Sequence, residues 1–130
     1  VAPGQQLEAT KPGDAAVRRV SFNEASLLNA AANADLIVNT TPIGMRHSPH
    51  EHESPLPAAA LRPDLWVVDI VYNPLETVLL RDAREAGARA VDGLGMLVYQ
   101  GVAQQLLWTG REPPGDIMRE AALAAMAARE

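Results

Sequence analysis

In the stretch VDGLGMLVYQG, residues 91–101, two glycines stand one residue apart, a methionine follows, and a lone glutamine interrupts an apolar run. Glycine lets another group lie against the main chain. Gly93 and Gly95 therefore mark either close approach of a flat ligand or a tight strand-to-helix turn. Gln100 follows Met96 at i+4 and shares its helix face with Ala103 and Leu107, a face otherwise apolar. An unpaired buried amide costs ~1–3 kcal/mol, so Gln100 needs partners, either neighbouring backbone or the hydroxyls of a ligand.

Other residues carry chemistry of their own. Tyr72 stands at the end of the apolar run WVVDIVY, where a phenol can hydrogen-bond while its ring packs. Asp69 lies inside that run, and a buried carboxylate is costly unless paired; backbone amides of a neighbouring loop would serve. Asn39, Thr40 and Thr41 precede a Pro-Ile-Gly turn and read as a strand-end cap or as ligand contacts. His47, His50 and His52, with Glu51 and Glu53, supply metal-type donors, but their spacing matches no helix-based zinc motif, and no metal site is assigned.

The elements that must position these residues alternate in type. VRRVSF (17–22) alternates as a short strand, and NEASLLNAAANA (23–34) follows as a helix with Asn23 at its N-cap. DLIVNTT (35–41) and LWVVDIVYN (65–73) are apolar strands, of the kind that suits a sheet covered on both faces. Between them lie a Pro-studded polar loop and AAAL (58–61), a helical turn. PLETVLLRDAREAG (74–87) is a helix capped by Thr77 or Asn73 and ended at Gly87; ARAVD (88–92) is a strand. GMLVYQGVAQQLLWTG (95–110) is a long helix, with Gly101 packing it on the sheet. EPPGD (112–116) is a hinge with Asp116 as N-cap, and residues 117–130 form an Ala-rich helix. This order predicts an α/β fold with a mostly parallel sheet, whose ligands bind at the C-terminal strand ends. Those ends hold Asn39–Met45, Ile70–Asn73 and Asp92–Met96.

The 130 residues suffice for one domain with a core. Net charge is 11 − 16 = −5, and the basic residues form no block, which speaks against nucleic acid as a partner. No apolar run approaches the ~20 residues that span a bilayer, so no membrane is expected. There is no cysteine, which excludes disulfides and thiolate metal sites; a cytoplasmic location is the default. Residues 1–16, which open on Val1 and are rich in Pro and Gly, read as a loop or the cut edge of something longer.

Four motifs in order, NTTPIGM (39–45), VDIVYNPLETVLL (68–80), DGLGMLVYQG (92–101) and LLWTG (106–110), resemble the C-terminal, dinucleotide-binding half of shikimate dehydrogenase, including its quinate/shikimate branch. The resemblance runs over roughly residues 17–112, with 113–130 as a C-terminal helix. It implies the C-terminal part of a Rossmann-type domain with a helical tail, a fragment lacking the first strands. The implied reaction is the reversible reduction of 3-dehydroshikimate to shikimate with NADPH, with NAD and quinate as the alternative. A non-catalytic dinucleotide-binding relic is the rival from another class, and a homodimer is one option for the parent.

The family's catalytic lysine and aspartate, and its glycine-rich phosphate loop, have no match here. No G-x-G-x-x-G precedes residue 35, and Lys11 sits in the wrong place. No catalytic residue is therefore assigned to this chain, which is expected to be inactive alone. The resemblance puts Asn39, Thr40 and Thr41 against the cofactor's ribose and nicotinamide side, Ile70 beside the nicotinamide, the Gly93 carbonyl near its carboxamide and Met96 against the ring. Tyr72 and Gln100 become contacts to the small-molecule substrate.

Overall fold

The computed structural model describes residues 17–128. Helix α1 spans Glu24–Ala32, and the Asn23 side chain caps it by accepting from the Ser26 N–H at 3.0 Å. Its C-terminal carbonyls are not left to water, because the Arg62 guanidinium donates to Ala31 O and Ala34 O. Strands β1 (Leu36–Asn39), β2 (Trp66–Asp69) and β3 (Arg89–Val91) form a parallel sheet in the order β1-β2-β3. Leu36 pairs with Trp66 and Asn39 with Asp69, so both strands reach the same edge in step. Between β1 and β2 runs a loop with a single 3-10 turn, Ala58–Ala60; α2 (Val78–Glu85) joins β2 to β3.

One face of the sheet holds the core. Leu79, Leu80 and Ala83 of α2 are fully buried with Leu65 and Val67, and Ala31, Leu56, Ala60 and Leu61 complete the cluster. Each fully buried leucine contributes ~1.5–3 kcal/mol relative to exposure. The period of two sends the alternate residues to the opposite face. There Leu36, Val38, Trp66 and Val91 are between 40% and 53% exposed, and the Arg89 guanidinium stacks 5.0 Å from the Trp66 ring centroid. The expectation of a sheet covered on both faces is thus met on one face only among the described residues. Helix α3 (Gly93–Thr109) leaves the strand ends, and α4 (Gly115–Ala127) folds back against it after a left-handed Gly110.

Several predicted boundaries move, each for a local reason. VRRVSF is not a strand: only Val17 makes a bridge, and Val17, Val20 and Phe22 stay exposed, since residues 18–22 have no ladder partner among the described residues. The strand predicted over 65–73 ends at Asp69, because its Oδ1 accepts the Val71 N–H at 3.0 Å and turns that donor away from the sheet. The helix predicted over 74–87 begins only at Val78, where Thr77, not Asn73, provides the cap; Gly87 does take positive φ. Helix α3 starts at Gly93 rather than Gly95, since the Asp92 side chain accepts from the Leu94 N–H at 3.0 Å. Asp116 is not the cap of α4; Pro114 precedes the helix and Asp116 lies in its first turn, where its charge suits the dipole. Gly101 packs not on the sheet but against α4, with Met118 Cε 2.9 Å from where its Cβ would lie.

Candidate functional site

The ends of β1 and β2 are tied together beneath the surface. Asn39 is buried, and its Nδ2 donates to Asp69 Oδ1 at 3.0 Å and to the Ile43 carbonyl at 3.3 Å. Its Oδ1 accepts from the Thr41 N–H at 3.0 Å and the Thr41 hydroxyl at 2.7 Å. Asn39 therefore folds the Thr40–Met45 turn from below. Asp69 is fully buried and takes a third donor, the Thr77 hydroxyl, at 2.7 Å. The expectation that Asp69 pairs with loop amides is met by Val71. Its other two donors are side chains, which a sequence does not announce.

Above this network opens a cleft of about 570 Å³. One wall is the turn after β1, with Thr40, Thr41, Pro42, Met45 and Arg46. The other is the exit of β2, with Ile70, Val71, Tyr72 and Asn73, while Leu97 of α3 and Ala122, Ala125 and Met126 of α4 close it. The walls are stitched by the Arg46 N–H donating to the Asn73 carbonyl at 2.8 Å. Of the predicted site residues, Thr40, Thr41, Ile70 and Tyr72 meet here, and Tyr72 is 43% exposed at the rim. Pro42, Met45, Val71 and Asn73 fall within the predicted strand ends without having been given a role, while Arg46, Leu97 and the α4 residues lie outside them. The α4 spacing of Ala122, Ala125 and Met126 was the available signal, a small-residue face at i, i+3 and i+4.

The predicted α3 site residues, Gly93, Met96 and Gln100, stand apart from the lining. Gly93 is buried under it: a Cβ there would lie 2.6 Å from the Ile70 carbonyl carbon and 2.7 Å from Val71 O, and closer still to Ile70 O. Its need for glycine is the approach of helix to strand exit. Gly95 has open space around it. Met96 and Gln100 are exposed, as are Ala103 and Leu107, so the face expected to be buried faces outward. The Gln100 amide donates to the Leu97 carbonyl at 3.1 Å, within its own helix. Its inward packing was inferred from apolar neighbours, but only Gly93, Leu94 and Val98 of α3 are buried.

The cleft has apolar walls and a few convergent polar groups, the makeup of a small-molecule site. It fits the nicotinamide and ribose end of a dinucleotide: a flat ring can lie on Ile70 and Val71, with Thr40, Thr41, Tyr72 and Asn73 offering hydrogen bonds. The start of α3 is ill suited to a phosphate, because the Asp92 carboxylate stands there and accepts the Leu94 N–H, placing a negative charge where an anion would bind. In the histidine loop, His50 Nδ1 meets Glu53 Oε1 at 3.1 Å, and Glu51 accepts from the His47 N–H at 2.8 Å. Among the described residues no group of three His, Cys, Asp or Glu is placed to hold a metal, and no helix is long and apolar enough to cross a membrane.

Residues 93–123 match the family model of the shikimate 5'-dehydrogenase C-terminal domain. Shikimate dehydrogenase (NADP(+)) of Moorella thermoacetica is 48% identical over 107 residues, which cover 82% of this chain and 36% of that protein. The crystal structure of shikimate 5-dehydrogenase from Thermus thermophilus, in complex with NADP(H) and shikimate, matches with a TM-score of 0.69 at 41% identity, covering 75% of this chain and 36% of that one. Quinate dehydrogenase from Corynebacterium glutamicum, in complex with NAD, matches with a TM-score of 0.70 at 39% identity, covering 78% and 35%. The chain thus spans about a third of the length of the relatives it matches. With the family-model match, the 48% identity to a relative and the shared fold, the chain belongs to the shikimate dehydrogenase family, as the counterpart of its C-terminal part.

Proposed function

We propose that these residues form the nicotinamide side of an NADP-dependent shikimate dehydrogenase, which reversibly reduces 3-dehydroshikimate to shikimate. The observation that carries this reading is the cleft in which Thr40, Thr41, Ile70 and Tyr72 converge at the C-terminal ends of β1 and β2. In open parallel sheets that is where dinucleotides bind. Bound there, the cofactor supplies the hydride that is exchanged with the substrate carbonyl carbon.

Ile70 and Val71 form a dry wall along one side of the ring. Thr40, together with Thr41, which Asn39 holds, faces the ribose. Gly93 lets α3 reach the strand exit, and Met96 and Gln100 follow it on the outward face of that helix, where a bound cofactor and substrate would meet them. Tyr72 and Gln100 read the substrate's hydroxyls, since a phenol and an amide each donate and accept. The proton of the substrate hydroxyl is handled by groups from the part of the relatives' length that has no counterpart in these residues. The quinate and NAD reading is carried by the likeness to the Corynebacterium glutamicum quinate dehydrogenase.

The test is steady-state oxidation of shikimate and of quinate, with NADP and with NAD, by the protein in its full natural length. Shikimate with NADP should be the preferred pair. Gln100→Ala should lower kcat/KM for shikimate roughly five- to thirtyfold, the loss of one hydroxyl contact of ~1–2 kcal/mol, with KM for NADP nearly unchanged. Equal weakening of both substrates would remove Gln100 from the substrate side.

A further inference from the structure

The two walls of the cleft come from segments thirty residues apart in sequence, yet both hang on one carboxylate. Asp69 is fully buried, and no buried side-chain polar atom among the described residues lacks a partner. Oδ1 accepts from Asn39 Nδ2 and from the Val71 N–H, each at 3.0 Å, and Oδ2 accepts the Thr77 hydroxyl at 2.7 Å. Through Asn39 the carboxylate reaches the first wall, because the Asn39 amide is oriented by Asp69 and in turn holds Thr41 and Ile43. Through Val71 it sets where β2 leaves the sheet, and so where Ile70 and Tyr72 stand.

We propose that Asp69 is the positioning residue of the cleft, coupling the turn after β1 to the exit of β2 so that both walls hold one geometry around the bound ring. This rests on the dehydrogenase reading of the cleft for its effect on turnover, but not for the coupling itself. Asp69 lines no part of the cleft surface, and its action passes through Asn39 and Val71. Thr77 anchors the second carboxylate oxygen, and it also touches the first wall, since a Cβ on Gly44 would lie 3.2 Å from Thr77 Cβ. A carboxylate suits this place because every contact is donated to it. An asparagine can keep the two bonds at Oδ1 while its amide group faces Thr77, whose hydroxyl can accept. Alanine keeps none.

The experiment reads backbone amide hydrogen exchange and kinetics on the full-length protein carrying Asp69→Ala, with Asp69→Asn as the conservative rescue. In Asp69→Ala, exchange at the Thr41 and Ile43 amides should rise at least about tenfold together with Val71, although Asp69 bonds neither of the first two, while the amides of α2 beyond its first turn keep their protection. Turnover of shikimate should fall at least about thirtyfold in kcat with KM for NADP little changed, because a displaced wall costs orientation more than binding. Asp69→Asn should restore both to within about fivefold of wild type, keeping the Oδ1 pair of bonds. Should Asp69→Ala fail to fold, Asn39→Ser reads the coupling from the other end, as faster exchange at Val71, to which Asn39 makes no bond. Exchange that rises only at Val71, or uniformly over the sheet, would overturn the proposal, as would kcat unchanged per folded molecule. Coupled exchange in a protein with no NADP-dependent oxidation of shikimate would instead sink the dehydrogenase reading and leave the coupling standing.

Discussion

Gly93→Ala is expected to cost about 3 kcal/mol or more, an overpacking loss at the upper end of the usual range. The added methyl would lie 2.6 Å from the Ile70 carbonyl carbon and 2.7 Å from Val71 O. These are backbone atoms and cannot swing away as a side chain would. Either α3 lifts off the strand exit and loses its packing there, or the exit shifts and the Asp69–Val71 bond is disturbed. For a domain of about this size the loss corresponds to a fall in Tm of roughly 10 °C or more. Gly95→Ala is the matched control. It lies on the same helix with nothing within 4 Å of its added Cβ, and alanine there should be neutral or stabilise by ~0.5–1 kcal/mol. Thermal melts of the two variants decide the matter. Equal melting temperatures would mean that the close approach at Gly93 is not needed.

The second large effect concerns chemistry. The 130 residues expressed alone should oxidise shikimate with NADP at less than about one hundredth of the full-length rate, since a positioned general base contributes ~10²–10⁴-fold. Among the described residues the cleft lining holds no carboxylate, histidine or lysine. The β3–α3 junction disfavours a phosphate, because the Asp92 carboxylate stands there and takes the Leu94 N–H. An assay of the isolated chain at saturating NADP and shikimate checks this. Turnover near that of the full-length protein would show that these residues carry the whole of the machinery.

What could be read in the sequence was set by local chemistry. Asn23, Thr77, Gly87 and Gly110 each announce a helix end by their own side chain or backbone freedom, and each stands where expected or as one of two options. The strand-end location of Thr40, Thr41, Ile70 and Tyr72 followed from alternation of element types. What could not be read depends on contacts across the chain. No pattern in VRRVSF tells whether a partner strand lies beside it. The apolar face of Met96, Gln100, Ala103 and Leu107 looks like core until the structure turns it outward. Asp69 could be marked as a buried charge needing partners, but Asn39 and Thr77 lie 30 and 8 residues away. Gly93 was read either as the close approach of a flat ligand or as a tight strand-to-helix turn, and the crowding the structure shows there comes from the protein's own backbone.

The uncovered side of the sheet also carries its own optical reporter. Trp66 lies there, partly open and stacked under the Arg89 guanidinium, while the protein's other tryptophan, Trp108, is 75% exposed near the end of α3. Indole emission moves to shorter wavelength as water is removed from the ring, so any polypeptide that settles on this face must shift the Trp66 band while displacing or trapping the stacked cation. With Trp108 replaced by phenylalanine, the emission maximum and the accessibility of the remaining indole to a neutral quencher report coverage of this one surface, without a label and at any protein concentration. The ladder that aligns β1 with β2 has thus also placed a solvent gauge at the centre of the face that the described residues leave open.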